Sequence, residues 1–371
     1  MTREEAIESI RTKGNSTHNP ATIAQRIDLL VQAGFLCIVL PGEELDFTST
    51  NTAKILHLLK TVGRTDLSLG RIYEGHINAL YLIHLFASPE QKEEWFSDAA
   101  DGCLFGVWNT GVPETTEIVL EEDKGTFCLH GKKTFASGTG IVQRALVTGA
   151  MHNDGRKHWQ MCLVNMNELS DIAIDYNSWN PMGMQDSLSY TINFYDYQSD
   201  ISQLLGKPDD YYRQPYFGGG AIRFCAVQLG GAEALFNETM AYLKNLQRTN
   251  DPYQIARIAE MTTELTSGDL WLNGAAANWD NWCLDKDKSG KLLSFVNLMR
   301  TAIENICLKV IELSSKCIGA RGLQQPYRME KIVRDLQFYL RQPAPDAAFA
   351  DAAKYVLHSG RNIETMWHEN D

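Results

Sequence analysis

No run of about 18 apolar residues occurs anywhere in this chain, so no segment of it reads as a membrane-spanning helix. No C-x-x-C pair occurs either. The eight cysteines are dispersed, at Cys37, Cys103, Cys128, Cys162, Cys225, Cys283, Cys307 and Cys317. Scattered thiols in apolar surroundings read as free, buried cysteines in a reducing compartment rather than as a metal or redox centre. Positive charge is in short supply: 34 Lys and Arg stand against 46 Asp and Glu, a net charge of −12. A surface made for polyphosphate carries the opposite balance, so nucleic acid is not an expected partner. The stretch MTREEAIESIRTKGNS lacks an apolar signal core, which gives the expectation of a cytoplasmic protein. Internal repeats and low-complexity tracts are missing too. The 371 residues suit two or three packed domains.

What is present changes character twice along the chain. Ile23, Ile27, Leu30 and Val31 recur at helical spacing before Gly34, and Leu80, Ile83, His84 and Ala87 do the same before Ser88-Pro89. From about Phe105 the period falls to two. Ile118 and Leu120, then Phe127 and Leu129, flank the turn signal Asp123-Lys124-Gly125 and predict a hairpin. RALVTGAM and MCLVNM read as short strands. In YTINFYDYQ the alternation slips by one residue around Asp196, which marks a bulge or the end of a strand. Helical faces return with Ala232, Leu235, Phe236, Met240 and Leu243, then with Ile303, Ile306, Val310 and Leu313, then with Ile332, Leu336 and Tyr339. FGGGAIR lacks the strand and Lys of a phosphate loop and reads as the start of a helix. The expected organisation is a helical domain over 1–104, an antiparallel β barrel or sandwich over 105–208 and a helical bundle over 209–371.

Five short stretches occur in an order that resembles the acyl-CoA dehydrogenase family over most of the chain: SPEQKEEWF, LHGKKTFASG, MGMQDSLS, CIGARG and EKIVRD. The resemblance implies that family's fold, mostly α with a central β domain and a C-terminal four-helix bundle. It also implies a flavin between the β domain and the bundle, and a homodimer or homotetramer. By position Trp108 and Asn109 would line the pyrimidine side of the flavin, where the family has Thr-Glu-Pro. Phe135 would stack where the family has Trp. Ser137 would set a hydroxyl or its backbone N–H near flavin N5, where a donor stabilises developing charge. Gly319, Arg321 and Gly322 would meet the pyrophosphate at a helix end.

The departures concern the catalytic base. Dehydrogenation of an acyl thioester needs a carboxylate to take the α-proton. The family's two places for it hold Pro343 and Gly220 here, and Asp346, three residues beyond the first, is the displaced candidate. Glu74, in the stretch RIYEGHINAL, reads as a solvated helix carboxylate. SLGRIYEGHINAL, SWNPMGMQDS and IGARGL look closer to the flavin-monooxygenase branch of this fold, to which the dibenzothiophene monooxygenases belong. The positions that branch uses to support oxygen chemistry on the flavin are His76 and Ser137 here. His76 is the expected proton donor, an imidazole being able to give a proton near neutral pH. A further His of that branch is replaced by Gln342. Two enzymatic readings follow. One is a flavin monooxygenase served by a reductase, with FMN in place of FAD. The other is an acyl-CoA or acyl-carrier dehydrogenase acting on a thioester through Asp346. A non-catalytic flavin- or acyl-binding homologue is the third reading.

Overall fold

Caps and apolar spacing start the N-terminal helices where the sequence places them. In the computed structural model, which describes residues 1–14, 21–111, 116–121, 124–153, 155–169, 173–341 and 344–367, five helices come first. They are α1 (Arg3–Gly14), α2 (Ile23–Gln32), α3 (Thr52–Thr65), α4 (Leu67–Phe86) and α5 (Pro89–Ala100). Thr22 with Gln25 and Ser88 with Gln91 form capping boxes on α2 and α5, so each start satisfies its own orphan N–H groups. The Asp66 side chain caps α4 by accepting from Leu69 N.

The β region holds β1 (Phe105–Trp108), β2 (Glu117–Glu121), β3 (Thr126–His130), β4 (Lys132–Ala136), β5 (Arg144–Asn153), β6 (Arg156–Asn165), β7 (Ile174–Asp175), β8 (Tyr190–Asn193), β9 (Tyr197–Asp200) and β10 (Leu204–Leu205). One sheet runs β10-β6-β5-β2-β3-β9 with β1 beside β5, and a second runs β4-β8-β7. β2 and β3 form the expected hairpin, with Leu120 opposite Phe127; Asp123 of its turn lies outside the described residues. The pairing is mixed rather than wholly antiparallel, because β1 and β2 both lie parallel to β5. The slip around Asp196 is the end of a strand. Asp196 takes φ 55°, and the chain leaves β8 in one sheet to become β9 in the other.

The remaining helices are α6 (Tyr216–Gly219), α7 (Ala221–Asn245), α8 (Pro252–Trp282), α9 (Ser289–Gly322), α10 (Arg328–Tyr339), α11 (Pro345–His358) and α12 (Ile363–Met366). None of the described helices is long and apolar enough to cross a membrane. α3 and α7 cross at very short range. A Cβ on Gly230 would stand 2.1 Å from the Lys60 carbonyl oxygen, and one on Gly63 would stand 2.5 Å from that of Val227. One continuous apolar core joins all three regions. α4 lies at their junction, against β1, α7 and α10.

Candidate functional site

The penultimate residue of β4 is strained. Phe135 has φ 54°, a conformation that costs a non-glycine residue on the order of 1 kcal/mol or more and that clusters at functional sites. Its ring is 56% exposed. The ring meets Trp179 edge-on with centroids 5.8 Å apart, and Trp179 meets Phe338 of α10 the same way at 5.6 Å.

Two residues on, Ser137 begins a row of hydroxyls. Ser137 Oγ lies 2.9 Å from Ser189 Oγ, which lies 2.8 Å from Ser187 Oγ, and Ser187 Oγ donates to the Met184 carbonyl at 2.7 Å. A carbonyl only accepts, and this fixes the direction of the whole row. Ser187 donates to Met184, Ser189 to Ser187, and Ser137 to Ser189. The free side of Ser137 Oγ is therefore a lone pair. Gly138 N donates to Ser187 O at 2.8 Å and Thr139 N to Leu188 O at 3.2 Å, which joins the two segments. Ser187 and Ser189 were visible in MGMQDSLS, but nothing in the sequence showed that they continue from Ser137.

Trp108 is 1% exposed, and its Nε1 donates to the Ser137 carbonyl at 3.0 Å. It holds Ser137 from beneath, whereas the sequence expectation set its ring along the flavin. Asn109 follows it in the chain. Its Oδ1 accepts from Thr148 Oγ1 at 2.6 Å and from Tyr212 OH at 3.0 Å. The Lys133 ammonium donates to Thr148 Oγ1 at 3.2 Å and to the Asn109 carbonyl at 2.8 Å. Because Lys133 is a donor, the Thr148 proton points to Asn109 Oδ1, and the amide orientation follows. The Asn109 NH2 has no protein partner among the described residues. Burial lowers the Lys133 pKa to about 8.

The loop carrying Ser187 is pinned to α10. The Asp335 carboxylate accepts from Met184 N at 2.6 Å and from Lys331 Nζ at 2.6 Å. Lys331 also reaches Asp66 at 3.2 Å, and Arg26 reaches Asp66 at 2.9 Å. A Cβ on Gly183 would stand 2.2 Å from the Arg334 carbonyl oxygen, so the loop lies directly on α10.

Glu74 is 2% exposed, not solvated as expected. One of its oxygens accepts from Arg71 and the other from Asn78, whose own oxygen accepts from Arg223. The cause is tertiary: α4 turns this face toward α7 and α10. His76 is fully buried. Its Nδ1 accepts from Phe105 N at 3.0 Å, which leaves Nε2 to donate to the Leu36 carbonyl at 2.8 Å. Burial lowers its pKa to about 4 against the opposing effect of the Leu36 bond. In this arrangement both ring nitrogens of His76 are taken by backbone, whereas the sequence expectation was a proton donor.

Asp346 is exposed on the first turn of α11, which packs on α9 and so offers no buried base. Gln342 and Pro343 lie outside the described residues. Gly319 takes φ 61° and breaks α9, and beyond it Arg321 is exposed while Gly322 is buried at the helix end. These three share no hydrogen bond with Phe135 or Ser137 among the described residues. Elsewhere, Cys128, His130 and Asp196 bring ligand atoms within 4.8 Å of one another. His130 and Asp196 already satisfy each other there, which accounts for the pair without an ion.

Residues 222–340 match the family "Acyl-CoA dehydrogenase, C-terminal domain". Among curated proteins, the chain is 23% identical to a dibenzothiophene monooxygenase of Rhodococcus erythropolis, over 96% of this chain and 90% of that one. It is 22% identical to a probable FMNH2-dependent monooxygenase, SfnC, of Pseudomonas putida, over 92% and 89% of the two chains. Among solved structures, FMN-bound TdsC from Paenibacillus sp. A11-2 superposes with a TM-score of 0.84 at 17% identity, covering 98% of each chain.

Proposed function

From the acyl-CoA dehydrogenase fold, which this chain has, we propose a flavin-dependent monooxygenase that takes reduced FMN from a separate reductase. The observation that carries this reading is the direction of the hydroxyl row. Ser137 turns an acceptor outward. A reduced isoalloxazine has an N–H at N5, whereas the oxidised ring has only a lone pair there. The exposed Phe135 and the Asn109 NH2, which has no protein partner among the described residues, fit the same group, as a stacking surface and a donor to a ring carbonyl. The relatives that bind or depend on FMN support it further.

Bound reduced flavin would supply two electrons to dioxygen, of which one oxygen atom enters the substrate and the other leaves as water. The chain's own contribution is to hold and orient. Ser189 and Ser187 keep the Ser137 proton turned inward, Trp108 fixes the Ser137 backbone, and Thr148 with Lys133 fixes Asn109. The dehydrogenase alternative needs a base. Glu74 is the acid that α4 buries here, and both its oxygens already accept hydrogen bonds. For assembly we take the outward side of α8, where Ile255 and Leu270 are 53% and 68% exposed.

An anaerobic titration of the flavin-free protein with reduced and oxidised FMN tests the proposal. We expect a preference for the reduced form of about tenfold or more, the worth of one well-placed buried hydrogen bond. Ser189→Ala frees the Ser137 hydroxyl to rotate and should erase most of that preference. Equal affinity for both forms in the unaltered protein rejects the reading. So does bleaching of bound oxidised flavin by an acyl-CoA without oxygen, which makes the protein a dehydrogenase. Repeating the titration with FADH2 decides between the two flavins.

A further inference from the structure

α4 presents a second set of polar groups beside the hydroxyl row. Ile72 comes within 3.4 Å of where a Cβ on Gly138 would stand, so this turn of α4 abuts the residue after Ser137. Arg71, Glu74 and Asn78 lie on the adjoining face and meet Arg223 of α7. α10 closes the same space. Its Phe338 points to Trp179 and the Phe135 edge, while the next residue, Tyr339, is the one whose phenol Glu74 and Arg71 act upon.

The hydrogen-bond inventory of this set is one-sided. Both Glu74 oxygens are taken, by Arg71 and Asn78, and the Asn78 oxygen is taken by Arg223. What remains unspent is donors. Arg71 uses Nη1 on Glu74, and its Nε and Nη2 have no protein partner among the described residues. The Tyr339 hydroxyl is buried without a partner among the described residues, on a residue only 3% exposed. Burial is the largest influence on the Arg71 guanidinium, yet 26% of its side-chain surface is open. The Arg71 side chain is thus largely enclosed by protein and still partly open. The charges lean the same way, with the guanidiniums of Arg71 and Arg223 against the single carboxylate of Glu74.

We propose that this cluster anchors the substrate, and that the substrate is a small organic oxyanion, a carboxylate or sulfinate, gripped by Arg71 and the Tyr339 hydroxyl. This rests on the monooxygenase reading for the chemistry, but the binding stands by itself. An oxyanion only accepts hydrogen bonds, and Arg pairs with it in two-point fashion. A neutral fused-ring substrate would leave buried donors unsatisfied, which sites of this kind strongly disfavour.

The test is calorimetric titration of the flavin-free protein with propanoate and propanesulfinate, with propanamide as the neutral control. Both anions should bind, and propanamide at least about tenfold more weakly. Tyr339→Phe should weaken anion binding several-fold while leaving thermal stability unchanged or raised, because the deleted hydroxyl has no partner to lose. A merely structural Tyr339 gives the opposite pattern. Arg71→Lys should retain part of the binding and Arg71→Gln should lose it. Equal binding of propanoate and propanamide, or full anion affinity in Tyr339→Phe and Arg71→Gln, overturns the proposal. Reduced-FMN binding is measured separately. Anions that fail to bind while flavin binds sink only this inference, and anions that bind where flavin does not sink only the monooxygenase.

Discussion

At the scale of single residues, the cleft is governed by which hydrogen-bonding capacity has been spent. His76 shows the consequence most plainly. Its folded pKa of about 4 lies below the ordinary value near 6.5, so the native state favours the uncharged ring. Above pH 6.5 this costs nothing. As pH falls from 6.5 toward 4 the unfolded chain takes up the proton first and stability drops, by roughly 3 kcal/mol at the low end. Thermal unfolding across that window should show the loss, and His76→Asn should flatten it. An identical slope in the variant would place the titration elsewhere. Asn109 is the converse case, a side chain with capacity left over. Thr148→Val removes the proton that orients its amide and should weaken reduced-FMN binding by about tenfold, as read in the same anaerobic titration; unchanged affinity would remove Asn109 from the flavin seat. The resemblance set Asn109 beside the flavin but left its amide orientation unread, and the buried hydrogen bonds of His76 were not legible in the sequence. A His at that position suits a donor or a buried strut equally, and only the Phe105 N–H and Leu36 carbonyl around it decide.

At the scale of elements, periodicity carried far. The β2–β3 hairpin, the stop at Gly34 and the break at Ser88-Pro89 were all written in local residue patterns, because turns and caps are local chemistry. Parallel pairing of β1 with β5 was not, since strand partners far apart in sequence leave no periodic mark. Glu74 was misjudged for a related reason. The hydrophobic stripe of α4 is indistinct because the helix is enclosed on several sides, so a carboxylate there looks no different from a surface one. The loop of Gly183 to Ser189 offers the sharpest check at this scale. Gly183→Ala forces a Cβ against the Arg334 carbonyl and should cost about 1–3 kcal/mol of stability. It should also lower the preference for reduced over oxidised FMN, because Ser187 and Ser189 move with the loop. A stable variant that keeps its flavin preference would show that the loop does not depend on that contact.

At the scale of the whole molecule, five weak motifs in one order were enough to indicate the architecture, whereas the contacts that join the regions had to be seen. Assembly belongs to this scale. Leu270→Glu, on the outward side of α8, should shift the protein to a smaller species in light scattering, while an unchanged mass would move the contact to another face. The Asp335 bond to Met184 N has a consequence that spans the domains. With the Arg334 bond to the Met182 carbonyl, it fastens the serine-bearing loop to the same helix whose last turn carries Phe338 and Tyr339, so both groups of side chains ride on α10. Anion and reduced cofactor should then strengthen each other's binding by one common factor, whichever is added first, and Asp335→Ala, which removes the acceptor of the Met184 N–H, should weaken that coupling.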